Sequence, residues 1–341
     1  MAWRCIVGLL LVGCSEGRAV APAHETPGQS GTPAASSPLA GQRVVTFEGV
    51  CDASGAVPID ARYFAVADDE SNVLRVYDSE KGGPPIDSVD MTPSLHLKKK
   101  KKPEADLEAA TQVGAHALWI SSHARTKKGK SQPDRLRFFA TTMPTRDSQM
   151  RMEGQAYAGL LEDLLREPLL ARFDLAGAAE RAPQDEGGLN IEGMTATPDG
   201  SVLLGFRNPV PQGKALLVTL LNPLDPMHGK PPRFGEPVLL ELNGLGVRSL
   251  SYWHGRYLIA AGHYEHGAVS RLYAWKGGAA QPELVTTPAL DDFNPEGFFT
   301  PEERSDIMLL SDDGSREIDG RRCKDLEDES EMRFRGLWLK I

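Results

Sequence analysis

The sequence predicts an all-β fold, a β-propeller of five or six blades with a short helical insertion, and three observations predict it. From Val44 onward, short apolar runs alternate with Gly, Pro, Asp and Asn, in a chain holding 34 Gly and 25 Pro; this is the pattern of short strands and tight turns. Four segments then share one layout, with a polar opening, small apolar positions, a turn, an apolar run and a polar close. They open on Glu108, Glu192, Arg248 and Glu296 and close on His123, Arg207, His263 and Asp312, with first-to-last spacings of 15, 15, 15 and 16. A looser fifth copy runs from Glu48 to Asp68. Finally, the starts at 48, 108, 192, 248 and 296 lie 48 to 84 residues apart, which suits blades of about four strands.

Each repeat reads as an antiparallel hairpin, which returns its last residue beside its first. In the copy opening on Glu192, the turn is Thr197-Pro198-Asp199-Gly200. If these hairpins are the inner strands of blades, their polar ends converge on one mouth of a central channel. Residues 333–341 alternate as a strand and are expected to complete the first blade beside residues 44–47, closing the ring. A β-sandwich or open sheet built from similar hairpins is the alternative. Between repeats, residues 155–173 carry a helical pattern with Leu160, Leu161, Leu164 and Leu165 on one face, which Pro168 should kink or end.

The chain before the domain reads as an export signal and a tether. Arg4 precedes the apolar residues 5–12, and Leu11-Val12-Gly13-Cys14 matches a lipobox, which makes Cys14 the expected lipidation site. Residues 1–13 are the expected signal peptide, residues 14–43 a disordered Pro/Ala/Ser/Gly-rich tether, and residues 44–341 the domain. Ser15 after the cysteine points to the outer membrane, so the expectation is an extracytoplasmic, periplasmic or surface lipoprotein held to a membrane by its anchor. Cys5 leaves with the signal. In an oxidising compartment the remaining Cys51 and Cys323 favour a disulfide, with two separate buried thiols as the alternative.

A formal net charge of −9 offers no basic field for nucleic acid. No GxSxG elbow, Walker loop or dinucleotide fingerprint appears, and His263-Tyr264-Glu265-His266 lacks zinc-protease spacing. The candidate site is therefore the convergent set: Glu48, Glu108, Glu192, Glu296, Arg248, His123, Arg207 and His263, with the acidic pairs Asp68-Asp69 and Asp312-Asp313 as candidate metal ligands. Several carboxylates around one mouth suit Ca²⁺, which takes six to eight oxygens in irregular geometry. Arginines and histidines beside them suit an anionic group. The expected function is binding of an anionic small molecule or glycan; the alternatives are a Ca²⁺-dependent phosphoesterase or lactonase and a protein-interaction scaffold. A closed structural ion network among the same residues needs no ligand at all. Arg125, Lys127, Lys128 and Lys130 form a basic loop beside the expected mouth, and the lysine run 98–102 reads as a surface loop.

Five segments carry a resemblance to a known family: Asp106-Leu107-Glu108-Ala109-Ala110, Asn190-Ile191-Glu192-Gly193-Met194, Gly205-Phe206-Arg207-Asn208-Pro209, Gly246-Val247-Arg248-Ser249 and Ser311-Asp312-Asp313-Gly314. They resemble an uncharacterised bacterial domain-of-unknown-function family (3616) over most of residues 45–341, with Ala109 standing where the pattern has glycine. The resemblance implies a propeller and no established activity. The family is distantly similar to esterase-like phytase propellers through its repeated Glu-Gly segments.

Overall fold

The computed structural model describes residues 39, 41–98, 103–144, 149–265 and 270–341. The signal segment, Cys14, the tether up to residue 38, lysines 99–102 and His266 lie outside the described residues.

Five four-stranded antiparallel sheets form the blades of a propeller. Blade 1 is Gly55–Pro58, Tyr63–Ala67, Val73–Asp78 and Asp87–Asp90. Blade 2 is Leu107–Val113, His116–Ser121, Phe138–Thr142 and Met152–Tyr157. Blade 3 is Asn190–Ala196, Val202–Asn208, Ala215–Leu220 and Val238–Leu240. Blade 4 is Gly246–Trp253, Arg256–Gly262, Arg271–Trp275 and Glu283–Leu284. Blade 5 is Pro295–Phe299, Ile307–Ser311 and Arg333–Leu339, with Val44–Glu48 as its outermost strand. The first strand of each blade neighbours the first strand of the next, and that of blade 5 neighbours that of blade 1, so the inner strands close a ring.

The ring closes where the two ends of the domain meet. Val44 to Glu48 pair antiparallel with Leu337 to Arg333. The expected partners do pair, but the blade they complete is the fifth, which opens near Glu296, and not the first. Glu48 therefore sits in an outermost strand, 3.6 Å from Arg333, away from the channel.

The second strand of each blade explains the unbroken apolar runs in the sequence. Ile307–Ser311 is buried along its whole length, because both its faces meet neighbouring blades. Successive residues then serve different interfaces: Leu118 and Ile120 pack toward blade 3, whereas Ala117 and Trp119 pack toward blade 1. One apolar cluster fills each gap between blades. The gap between blades 5 and 1 is the aromatic one, with Phe47 stacked on Phe334 and Phe64 on Phe299. Inner strands approach closely enough that a Cβ on Gly55 would stand 2.7 Å from the Ala109 backbone carbonyl carbon, so that position accepts glycine alone.

The insertion between blades 2 and 3 is shorter in helix than its sequence pattern. Met152–Tyr157 is strand, the α-helix spans Leu160–Arg166, and Pro168 ends it and opens a 3-10 turn to Phe173. Leu160 and Leu164 join the core between blades 2 and 3, while Leu165 faces solvent. Leu39, within the expected tether, is buried in the core between blades 4 and 5. Among the described residues, no helix is long and apolar enough to cross a membrane.

Cys51 and Cys323 form a disulfide across 272 residues of chain. It pins the segment leading into blade 1 to the long loop between the second and third strands of blade 5. Around it, Asp313 N–H donates to the Cys51 carbonyl, Cys323 N–H to the Arg316 carbonyl and Lys324 N–H to the Gly314 carbonyl. Buried Asp52 accepts from Gly314 N–H at 2.7 Å.

Candidate functional site

Four of the five inner hairpins carry a register slip at the same place. It falls between Leu107 and Ala109, Ile191 and Gly193, Val247 and Ser249, and Pro295 and Gly297. The residues left out of register are Glu108, Glu192, Arg248 and Glu296. A bulge re-aims a side chain that would otherwise lie against a neighbouring sheet, and all four line the cavity at one channel mouth.

The return strands supply the second layer. Two residues beyond the partners of Gly55, Ala109, Gly193, Ser249 and Gly297 stand Asp69, Ser122, Arg207, Gly262 and Asp312. A constant count of fifteen residues from Glu108 and Arg248 selects His123 and His263, one residue past this layer. The hairpins of blades 2 and 4 turn tightly, between Val113 and His116 and between Trp253 and Arg256, and one residue of slip moves a side chain to the other face. His123 is buried away from the cavity lining, with Nδ1 on the Ser121 carbonyl at 2.8 Å, and burial lowers its pKa to about 4. His263 contributes its carbonyl, which accepts from Arg207 Nε at 3.0 Å. Gly262 has a steric role, since a Cβ there would stand 2.6 Å from Arg248 Cδ.

The cavity measures about 810 Å³ and is lined by eleven carboxylates and seven cationic side chains. Its buried arginines are already engaged. Arg207 Nη1 donates to Glu192 Oε1 at 2.7 Å, and Asn190 donates to the same oxygen at 2.7 Å. Arg248 donates to Glu296 and to Asn294, with Asp312 and Glu192 each 3.8 Å away. Arg135 pairs with Glu104 and, at 3.0 Å, with Asp106, which also accepts from the Ser122 hydroxyl. Arg335 grips Asp313 with two bonds. Asp68 turns away from the cavity into a pair with Arg75 at 3.0 Å.

At the floor, one oxygen from each of Glu108, Glu192 and Glu296 lies within 4.8 Å of the other two, and all three residues are buried. Glu108 has no ion pair and no hydrogen-bond donor among the described residues, and Arg135 acts on it only from a longer distance. Glu192 Oε2 accepts no hydrogen bond. Burial, and then repulsion from Glu192, Asp106, Asp69 and Glu296, pushes the Glu108 carboxyl well above the usual range. Burial drives Glu296 up to about 7 against the pull of Arg248, and Asp106 up to about 6 against Arg135. Asp69 and Asp52 rise through burial too, each with acidic neighbours adding to the shift.

These shifts fix the pH dependence of the metal-free protein. Carboxyls raised in the folded state bind protons that the unfolded chain releases, so their contribution is full near pH 4 and falls as pH rises through about 6 to 7, outweighing the opposing contribution of His123, which is lost as pH falls from 6.5 toward about 4. Melting in EDTA is expected to be higher at pH 5 than at pH 8, and a scan across that window checks it. A cation held by the deprotonated groups reverses the trend, because its affinity rises over the same interval.

Sequence reasoning brought together Glu108, Glu192, Arg248, Glu296, Arg207, Asp69, Asp312 and Asp313, which all line the cavity. It missed Asp52, which lies outside the lining but holds Gly314 within it, and the lining residues Asp106, Asn190, Asn294, Arg135 and Arg335. The signal for the first four was present. Asp52-Ala53-Ser54-Gly55, Asp106-Leu107-Glu108-Ala109, Asn190-Ile191-Glu192-Gly193 and Asn294-Pro295-Glu296-Gly297 share an Asp or Asn two residues before the bulge position. That phasing starts the blade 1 repeat at Asp52, not Glu48.

Residues 139–294 match the model of a family described as Protein of unknown function (DUF3616). No curated protein matches the chain. Among solved structures, the PQQ-bound aldose sugar dehydrogenase of Streptomyces coelicolor shares 11% identity, over 88% of this chain and 98% of that one, with a TM-score of 0.42. A putative oxidoreductase (glucose dehydrogenase) of Thermus thermophilus shares 11%, over 88% and 100%, with a TM-score of 0.44. The exo-β-1,3-galactanase of Phanerochaete chrysosporium shares 8%, over 87% and 64%, with a TM-score of 0.47. No chemistry is carried over from likenesses this remote.

Proposed function

We propose that this propeller is a cation-dependent binding protein, which holds a divalent cation, best matched by Ca²⁺, between Glu108, Glu192 and Glu296, and takes an anionic small molecule or glycan through that cation. The observation that carries the reading is the approach of three buried carboxylates to within 4.8 Å while, among the described residues, Glu108 has no hydrogen bond or ion pair and Glu192 Oε2 accepts no hydrogen bond. A closed ion network leaves no carboxylate unpaired, because an unpaired buried charge costs several kcal/mol. The floor instead carries more negative charge than Arg207 and Arg248 neutralise. Neighbouring Asp69 and Asp312 add oxygens of the hard kind Ca²⁺ takes. An anion alone meets net repulsion at such a floor. A cation there inverts the local field and offers open coordination positions to phosphate or carboxylate oxygens.

The exported, lipid-anchored location belongs to the same proposal. Millimolar Ca²⁺ outside the cytoplasm suits a site of modest affinity, and the tether holds it at a membrane surface. Two experiments test this. Melting with Ca²⁺ against EDTA should shift upward in the wild type, whereas Glu192→Gln combined with Arg207→Ala should lose the shift; a wild type indifferent to Ca²⁺ sinks the cation reading. Fractionation should move Cys14→Ser protein from membrane to soluble fraction, and full retention on the membrane sinks the anchor.

A further inference from the structure

The seven cationic side chains of the cavity divide into two groups. Arg135, Arg207, Arg248 and Arg335 are bound to carboxylates. Lys127, Arg316 and Lys324 also line the cavity, yet none has a carboxylate within ion-pair distance among the described residues. Lys127 and Arg316 are exposed and Lys324 is half-buried, so these cations lie at the rim beside the exposed Glu70, Asp291 and Asp292, while buried Glu108, Glu192 and Glu296 form the floor. They come from different blades: Lys127 from the loop after the second strand of blade 2, Arg316 and Lys324 from the long loop of blade 5. That second loop is held by the disulfide, by the Cys323 N–H bond to the Arg316 carbonyl at 2.8 Å and by the Lys324 N–H bond to the Gly314 carbonyl at 3.1 Å.

We propose that Lys127, Arg316 and Lys324 select the ligand of this mouth, and that the ligand is a compact molecule with at least two separate oxyanion groups, phosphate or carboxylate. This rests on the floor being a cation site. One oxyanion completes the coordination of the floor cation, and the other meets the rim, where Arg316 presents a planar two-pronged donor and the lysines present point charges. A cavity of about 810 Å³ holds a ligand of roughly disaccharide size.

Calorimetry on the Ca²⁺-loaded protein tests this with four probes: fructose 1,6-bisphosphate, digalacturonate, glucose 6-phosphate and glucose. At least one of the two probes with two oxyanion groups should bind, glucose 6-phosphate with its single phosphate more weakly by about tenfold, and glucose not at all; which two-group probe wins separates phosphate from carboxylate. Combining Lys127→Gln, Arg316→Gln and Lys324→Gln should weaken the two-group probe by about tenfold or more and flatten its salt dependence, while Ca²⁺ binds as tightly or tighter. Circular dichroism should stay unchanged, since these side chains make no ion pairs. Equal affinity for the two-group probe in the variant and the wild type overturns the proposal, as does Ca²⁺ binding with no binding of either two-group probe. Rim-dependent binding of a two-group probe in EDTA would instead remove the floor cation and leave the rim assignment standing.

Discussion

Glu108→Gln is expected to raise the stability of the metal-free protein and to abolish its response to Ca²⁺. The two effects share one cause. Burial is the largest influence on the Glu108 carboxyl, repulsion from Glu192, Asp106, Asp69 and Glu296 adds to it, and Arg135 pulls more weakly the other way. At neutral pH the fold must either protonate this group or hold an uncompensated buried charge. Glutamine has nearly the shape of the protonated acid and carries no such cost, so the variant should gain about 1–3 kcal/mol in EDTA. The same change removes one charged ligand from the proposed trio. Outer-shell partners alone change metal affinity by about 10–100-fold, so the loss of a direct carboxylate should reach about 100-fold or more. Denaturant midpoints with and without Ca²⁺ give both numbers. A purely structural cluster predicts the opposite sign, with destabilisation in EDTA and an unchanged Ca²⁺ response.

Opening the disulfide is expected to be the largest single loss of stability. It closes a loop spanning 272 residues, for which the chain-entropy model gives about 5–6 kcal/mol at 25 °C. Cys51 and Cys323 are buried with Leu326 in a small satellite cluster, so the double Cys51→Ser, Cys323→Ser variant loses packing as well. The effect should extend beyond stability. Arg316 and Lys324 lie on the loop that Cys323 anchors, and Asp52 beside Cys51 holds Gly314 of the same loop, so the rim loses its clamp. Urea unfolding of reduced and oxidised wild type measures the first effect, and titration of the reduced protein with the two-group probes measures the second. A reduced protein with unchanged midpoint and unchanged binding contradicts both.

Much of this fold was legible because its repeats obey local rules. The hairpin layout from Glu192 to Arg207, with its Pro-Asp-Gly turn, announces a blade, and the alternation in residues 333–341 announces the closing strand. What spacing hid was the register. Turns of unequal length separate the two strands of the inner hairpins, so equal counts from Glu108 and Glu192 end on His123, which is buried away from the cavity, and on Arg207, which lines it. The bulge at Glu108, Glu192, Arg248 and Glu296 leaves only a short compositional trace, the small residue that follows it and, in blades 2, 3 and 5, the Asp or Asn two residues before it. Blade 1 was misphased because Ser54 replaces the acid and Asp52 carries the repeat instead. The helix was overdrawn at its start, since residues 155–157 have the period of a helix but pair as the outer strand of blade 2, whereas Pro168 ends it as expected.

The central claim is a cation at the floor of one channel mouth, and a calorimetric Ca²⁺ titration of the purified protein at pH 7.5, repeated with Glu108→Gln, tests it most directly. The account predicts one Ca²⁺ per wild-type chain and none bound by the variant in the same concentration range. A wild type that takes up no Ca²⁺, or a variant that binds it as well as the wild type, would contradict it.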